Sequence, residues 1–285
     1  MNIINYGKTF MLMAILTIIF VLIGSAVGGK NGGIYGLILA GLMNLGSYFF
    51  SDKIVLGMYR AKPLSYNEAP QLHEMVEKLR QSAGLPMPKI AIIPTKVPNA
   101  FATGRNPQNA VVAVTQGITE FLNREELEGV LGHELAHVKN RDILTMTIAA
   151  TLAGAISMIS RMGMYSGYGD SDDRGSGSGG NFLIALVGPI AAMLIQMAIS
   201  RAREYEADKA GAEISGKPEA LASALNKLSQ AAKMMRMRVN PSTAHLFIVN
   251  PLSGGGLMTL FSTHPPAAER IKRLLEIARQ MGRIQ

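Results

Sequence analysis

Residues 123–140 have the sequence NREELEGVLGHELAHVKN, and this stretch decides which fold the rest of the chain has to support. Asn123 is a good N-cap residue, and Glu126 three positions later completes a capping box. Apolar residues then recur with the helical period, at Leu127, Val130, Leu131, Leu135 and Val138. The stretch therefore predicts a single helix with one face in a core.

Two histidines, His133 and His137, lie four positions apart in this helix, and Glu134 follows the first. Because residues at i and i+4 share a helix face, both imidazoles can bind one metal ion. His-Glu-x-x-His is the arrangement of zinc peptidases, in which the glutamate acts on water as a general base. A pentapeptide is short enough to arise by chance, so a helix with two surface histidines is the alternative.

The composition predicts a membrane protein. The chain has 285 residues, of which 48% are hydrophobic and only 17% charged, and this is too apolar for an ordinary soluble domain. Four uncharged stretches account for the high fraction of hydrophobic residues, and each is close to the length that crosses a bilayer. The predicted spans are residues 9–29, 33–51, 143–160 and 182–200. The alternatives are a cleaved signal peptide for the first span and buried helices of a soluble core for the last two.

The charges predict the topology. Most basic residues that flank the spans lie on one side: Lys8, Lys53, Arg60, Lys62, Lys139, Arg141, Arg201 and Arg203. The positive-inside rule then places both termini and both polar regions in the cytoplasm. The net charge of +8 lacks the clustering with stacking aromatics that nucleic-acid binding needs, so no nucleic-acid partner is expected. The absence of cysteine excludes a cysteine zinc site and disulfides.

The polar regions show a small sheet and several helices. The first region predicts a helix at 67–83, strands at 89–94 and 110–115, and an extended segment at 97–104 that Pro98 favours at a sheet edge. The second region predicts helices at 218–237 and 266–281. These elements leave the metal site in need of a third ligand from elsewhere in the chain.

The third ligand is sought in residues 201–208, RAREYEAD, which continue the fourth predicted span. Glu204 and Asp208 share a helix face there, so one can bind a metal while the other accepts a proton from a liganding imidazole. A solvated charged turn beside the membrane is the alternative.

Four sequence motifs, occurring in a fixed order along the chain, resemble those of a known family, and the resemblance covers nearly the whole chain. They are PNAFATG at 98–104, GHELAH at 132–137, SRAREYEAD at 200–208 and HPPAAER at 264–270. The chain resembles the HtpX family of membrane-bound heat-shock zinc metalloproteases, within the wider family that includes the prenyl-protein processing zinc proteases. The resemblance implies a mainly α membrane protein with four transmembrane helices and a cytoplasmic α+β zincin-like metalloprotease domain assembled from two segments.

The predicted spans and the charge pattern also predict the domains, and the glycine-rich residues 28–33 predict the turn between the first two spans. Residues 1–50 are a transmembrane hairpin, and 143–200 form a second hairpin with an exterior loop at 161–181. Residues 51–142 and 201–285 are the two cytoplasmic protease segments.

The resemblance assigns roles as well. One Zn²⁺ per chain is held by His133, His137 and Glu204, with Glu134 as the general base. Asp208 supports a liganding histidine, and His264 stabilises the oxyanion, for which a structural role before a helix start is the alternative. Arg270 is a weaker candidate for the same site. An extended substrate pairs with the edge strand Asn99, Ala100, Phe101 and Ala102.

The expected function is that of a zinc endopeptidase integrated in the bacterial cytoplasmic (inner) membrane. Its expected partners are the lipid bilayer and unfolded or damaged membrane proteins, which it would cleave at the cytoplasmic face in quality control. The alternatives are a dedicated processing peptidase for membrane or lipidated peptides and a non-catalytic metal-binding membrane scaffold.

Overall fold

The structure is a computed structural model that describes residues 3–151, 201–235, 246–249 and 265–284. The third predicted span is described only to residue 151, and the exterior loop and the fourth span lie outside the described residues. His264 also lies outside them.

The N-terminal part folds back on itself as two helical arms. Its helix α1 (Ile3–Met58) leaves helical geometry at Gly28 and Gly29, where Gly29 has a φ of +57° that favours glycine. Close to this turn the arms are in contact, since a Cβ on Gly24 would lie 2.2 Å from the carbonyl oxygen of Gly32. The turn falls where the glycine-rich sequence predicted it.

One helix of the described part, Gly28–Phe50, is long and apolar enough to cross a membrane. The first arm contributes a shorter apolar helix, Thr9–Leu22. The prediction of four spans therefore remains a prediction, because the structure describes too little of residues 143–200.

A four-stranded sheet has the order β1-β2-β4-β3. Its strands are β1 (Lys62–Pro63), β2 (Lys89–Ile93), β3 (Ala100–Thr103) and β4 (Val111–Thr115). β2 and β4 are parallel, and β3 is antiparallel to β4 with Phe101 opposite Ala113. The predicted strands and the predicted edge position of β3 are confirmed, whereas β1 was not predicted.

The helices of the polar regions pack around this sheet. They are α2 (Pro70–Ala83), the short α3 (Gln116–Phe121), α4 (Arg124–Asn140), α5 (described over residues 143–151), α6 (Arg201–Ser215), α7 (Pro218–Met235) and α8 (Ala267–Gln280). α2 begins three residues later than predicted, because Ser65 and Glu68 form a turn and Pro70 then occupies a first-turn position. α3 was not predicted.

Helix α4 lies in the centre of the core. Asn123 Oδ1 accepts a hydrogen bond from the Glu126 amide at 2.9 Å, and the Asn123 amide donates to Glu126 Oε2 at 3.0 Å. The predicted capping box is therefore confirmed. The buried side chains of α4 pack with those of α2, α6, α7 and the sheet in one hydrophobic cluster.

Candidate metal centre

Two glycines bring α4 and α6 into backbone contact. A Cβ on Gly211 would lie 2.7 Å from the Cα of His133, and a Cβ on Gly132 would lie 2.9 Å from the carbonyl oxygen of Gly211. Real side chains do not approach this closely, so the two helices cross at a distance that only glycine permits. The crossing places Glu204, about two turns earlier on α6, beside the histidines of α4.

The side chains of His133, His137 and Glu204 converge at one point. Their candidate ligand atoms all lie within 4.8 Å of one another. Glu204 Oε1 is 3.6 Å from His137 Nε2, and Glu204 Oε2 is 3.9 Å from His133 Nε2. Two imidazole nitrogens and one carboxylate oxygen are a donor set of catalytic zinc sites, so these three residues fit a metal ion.

Each histidine has a buried aspartate at its other ring nitrogen. His137 Nδ1 donates a hydrogen bond to Asp142 Oδ2 at 3.2 Å. His133 Nδ1 lies 3.0 Å from Asp208 Oδ1, an ion-pair distance without hydrogen-bond alignment. These contacts leave the Nε2 atom of each ring facing the metal position, where Arg270 Nη2 also lies 3.5 Å from His133 Nε2. Asp208 thus lies where the sequence predicted it, whereas Asp142 was missed.

Arg270 enters the site from α8. Its Nε and Nη2 atoms donate to the two carboxylate oxygens of Asp208 at 2.8 and 2.7 Å, and its Nη1 lies 3.5 Å from Glu204 Oε2. The Arg270 side chain is almost completely buried. Burial alone would raise the pKa of Asp208, but the charge and hydrogen bonds of Arg270 outweigh it and lower that pKa.

Glu134 is buried, and its Oε2 accepts a hydrogen bond from the Ala102 amide at 2.9 Å. Burial raises the pKa of Glu134 above its ordinary value, although the two histidines and the Ala102 amide act against this. Burial would lower the pKa of His137, but the hydrogen bond to Asp142 and the nearby carboxylates raise it to about 9.

Comparisons with known proteins agree with this geometry. The family model described as Peptidase family M48 matches residues 66–278, which include α2, strands β2 to β4 and all of the site residues named so far. The chain belongs to peptidase family M48. It is therefore a metalloprotease, and members of this family use a metal. His133, His137 and Glu204 form a group that could bind one.

Relatives within the M48 family agree over full length. A protease HtpX homolog of Persephonella marina is 54% identical over 97% of this chain and 99% of its own. One from Thermococcus sibiricus is 55% identical over 96% of this chain and 97% of its own. The crystal structure of S. mikatae Ste24p is 19% identical with a TM-score of 0.53, and the match covers 95% of this chain but 66% of that one, so it supports the fold alone. The predicted HtpX resemblance is confirmed.

The edge strand β3 lies directly beside the M48 metal group. Asn99 exchanges hydrogen bonds with Thr115, and β3 runs antiparallel to β4 from there. In an antiparallel pair the hydrogen-bonded positions alternate, so the backbone groups of Ala100 and Ala102 point away from β4. The Ala102 amide follows this rule by donating to Glu134.

Residues 246–249 form the opposite wall of the site. The Asn99 side chain holds this segment, because its Nδ2 donates to the Leu246 carbonyl and its Oδ1 accepts from the Ile248 amide, both at 3.2 Å. Phe247 and Ile248 line the site together with Phe101, and the cavity that remains has a volume of about 10 Å³. That is room for about one water molecule.

Three features of this site were not predicted from the sequence. Asn99 was predicted as part of the strand whose main chain pairs with substrate, and its side chain, which binds the backbone of Leu246 and Ile248, was given no role. Asp142 was missed although it lies five residues after His137, because it follows the end of α4 and helical spacing does not apply there. The contacts of Arg270 were not predicted. The feature of the sequence that could have indicated them is the arginine at the end of the motif HPPAAER at 264–270.

Proposed function

We propose that the protein is a zinc-dependent endopeptidase that cleaves unfolded or damaged membrane proteins at the cytoplasmic face of the bacterial inner membrane. The observation that best supports a zinc-dependent reaction is that His133, His137 and Glu204 converge beside the buried carboxylate of Glu134. We assign the first three as zinc ligands and Glu134 as the general base.

Zinc is the metal that this donor set favours, because two imidazoles, one carboxylate and room for a water give the tetrahedral site of a metallopeptidase. Bound there, zinc would polarise the scissile carbonyl and lower the pKa of water. Asp208 holds His133 from behind, and Arg270 in turn fixes both oxygens of Asp208. These contacts restrict the orientation of the His133 ring before a metal binds.

Glu134 accepts the proton of the attacking water and passes it to the leaving amine. Its raised pKa suits this role, because a base whose pKa lies nearer to neutrality can both take and return a proton. We keep His264 as the candidate that stabilises the oxyanion, since it lies two residues before Pro266, at the start of the α8 helix that carries Arg270 into the site.

The substrate would lie as an extended peptide along Asn99, Ala100, Phe101 and Ala102. Ala100 directs both of its backbone groups away from β4 and can pair with another strand, whereas Ala102 offers its carbonyl, because its amide donates to Glu134. Asn99 anchors the neighbouring segment 246–249, which must shift because a cavity of about 10 Å³ cannot admit a peptide. Pairing of main chain with main chain tolerates many side chains, as the degradation of varied unfolded proteins requires.

The membrane placement follows from the distance between the site and the predicted spans. His137 lies six residues before the predicted span 143–160, and Glu204 four residues after the span 182–200. At about 1.5 Å per residue Glu204 lies roughly 6 Å from the end of its span. On the other helix the turn at Arg141 brings the Asp142 amide, directly before the span 143–160, to 3.0 Å from the His137 carbonyl. A site so close to the bilayer would meet membrane proteins first, and the two protease segments 51–142 and 201–285 would share one cytoplasmic side.

A single substitution tests the reaction. Glu134→Gln removes the base but keeps the size of the side chain, so purified protein in detergent is expected to retain zinc and lose cleavage of an unfolded test protein by at least about 100-fold. Cleavage by this variant at the wild-type rate would overturn the mechanism. A wild-type chain that binds zinc but cleaves nothing would instead support a metal-binding scaffold.

Two further experiments test the ligand and the topology. Glu204→Ala is expected to lose bound zinc, and stoichiometric zinc in this variant would remove Glu204 from the ligand set. Because the chain has no cysteine, one cysteine introduced into the loop 161–181 can be labelled selectively. Labelling from the outer side is expected, and labelling from the cytoplasm would invert the topology.

A further inference from the structure

Asp142 lies at the junction between α4 and α5 and is fixed by both. Its amide donates to the His137 carbonyl at 3.0 Å, and its own carbonyl accepts from the Met146 amide at 3.1 Å. Its side chain is 2% exposed, and the Oδ2 atom accepts the hydrogen bond from His137 Nδ1. The backbone on both sides thus determines where this carboxylate points.

The contacts on the two sides of the metal group follow the same pattern. On one side His133 faces Asp208, and Asp208 is held by Arg270. On the other side His137 faces Asp142, and the Nη1 of Arg203 lies 4.0 Å from Asp142 Oδ1. Arg203 is buried and directly precedes Glu204 on α6. Each histidine therefore has a carboxylate behind it and a guanidinium behind the carboxylate.

We propose that Asp142 is a positioning residue that holds His137 in the tautomer whose Nε2 faces the metal. The inference rests on the proposed metal site. When Nδ1 carries the proton and donates it to a carboxylate, Nε2 keeps its lone pair for the metal, and the carboxylate makes that nitrogen a stronger ligand. Because Asp142 also begins α5, it ties the orientation of a zinc ligand to the first turn of the third predicted span.

The test compares the zinc affinity of full-length variants in detergent, by titration against a chromophoric chelator. Asp142→Ser removes the carboxylate but keeps a side chain that suits a helix start, and Asp142→Asn keeps an acceptor for His137 Nδ1. We expect about 10–100-fold weaker zinc binding for Asp142→Ser and a smaller loss for Asp142→Asn. The absorption spectrum of bound Co²⁺ is expected to change in Asp142→Ser, since it reports ligand geometry.

Glu126→Gln is the matched control, because it removes another buried carboxylate from the same region of the chain without touching the site. Its zinc affinity is expected to stay within twofold of wild type. If Asp142→Ser and wild type bind zinc with equal affinity, the positioning role of Asp142 is overturned, but the proposed function is not. If the loss of affinity merely follows a lower thermal midpoint measured in chelator, Asp142 is structural and the inference fails. If wild type binds no zinc, the proposed function fails as well.

Discussion

Substituting Gly211 tests whether the glycine crossing places the third ligand. A Cβ at this position would lie 2.7 Å from His133 Cα, whereas carbon atoms in contact need about 3.5–4.0 Å. Gly211→Ala must therefore separate α6 from α4 by about 1 Å. Because Glu204 belongs to α6, its carboxylate moves away from His133 and His137 by a similar distance.

A displacement of this size is large for a metal site, in which ligand distances are held to about 0.2 Å. We expect Gly211→Ala to weaken zinc binding by at least about 10-fold, and the overpacking to cost about 1–3 kcal/mol of stability. Gly132→Ala is expected to have a smaller effect, because its Cβ would meet the Gly211 carbonyl oxygen at 2.9 Å. That contact is only about 0.4 Å shorter than an ordinary carbon–oxygen approach.

Gly57→Ala is the matched control, because a Cβ there has no heavy atom within 4 Å in the described part of the chain. Zinc affinity by chelator competition and the thermal midpoint in detergent are to be measured on all three variants. We expect the largest loss of zinc affinity in Gly211→Ala, a smaller loss in Gly132→Ala and wild-type affinity in Gly57→Ala. Wild-type zinc affinity in Gly211→Ala would refute the idea that this crossing sets the position of Glu204.

Three further predictions concern pH, the edge strand and the metal. Burial would raise the pKa of Glu126, but hydrogen bonds from Lys227, Ser223 and Asn123 lower it. The stabilising effect of this carboxylate is therefore present at neutral pH and lost as pH falls through its lowered pKa. The stability deficit of Glu126→Gln should shrink over that acid range, and a constant deficit would contradict this. Ala102→Pro removes the amide that donates to Glu134 on an edge strand that tolerates proline, so kcat is expected to fall about 10-fold or more with zinc content unchanged. Chelation is expected to lower the thermal midpoint of wild type but not of Glu204→Ala, and equal shifts in both would refute metal-linked stability.

Local sequence patterns predicted the parts of the site that lie within one element. The spacing of His133 and His137 was sufficient to place two imidazoles on one helix face, since the helix that carries them has a capping box in its sequence. Pro98, two residues before β3, favoured an edge position for this segment, because proline cannot donate to a sheet ladder. Both inferences use only the geometry of a single helix or strand.

Features that depend on two elements meeting were not predictable in this way. Arg141 ends α4 in the left-handed region with a φ of +61°, and this turn returns Asp142 to His137. Nothing in the sequence Lys-Ala-Gly-Ala shows that Gly211 meets another helix. The role of the Asn99 amide likewise depends on where residues 246–249 lie, which is a matter of tertiary structure.

The charges around the site give a physical reason for a divalent ion. Four buried carboxylates surround the histidines, those of Glu134, Asp142, Glu204 and Asp208, and two buried guanidiniums, those of Arg203 and Arg270, lie among them. With neutral histidines the formal charge of this group is two negative charges. Burying unbalanced charge is costly, so the fold as described favours a cation of charge +2 at the centre of the group. The metal is therefore expected to stabilise the crossing of α4 and α6 as well as to serve the reaction. The reason is that the Glu204 carboxylate, which would bind the metal, is attached to α6, whereas the two histidines are attached to α4.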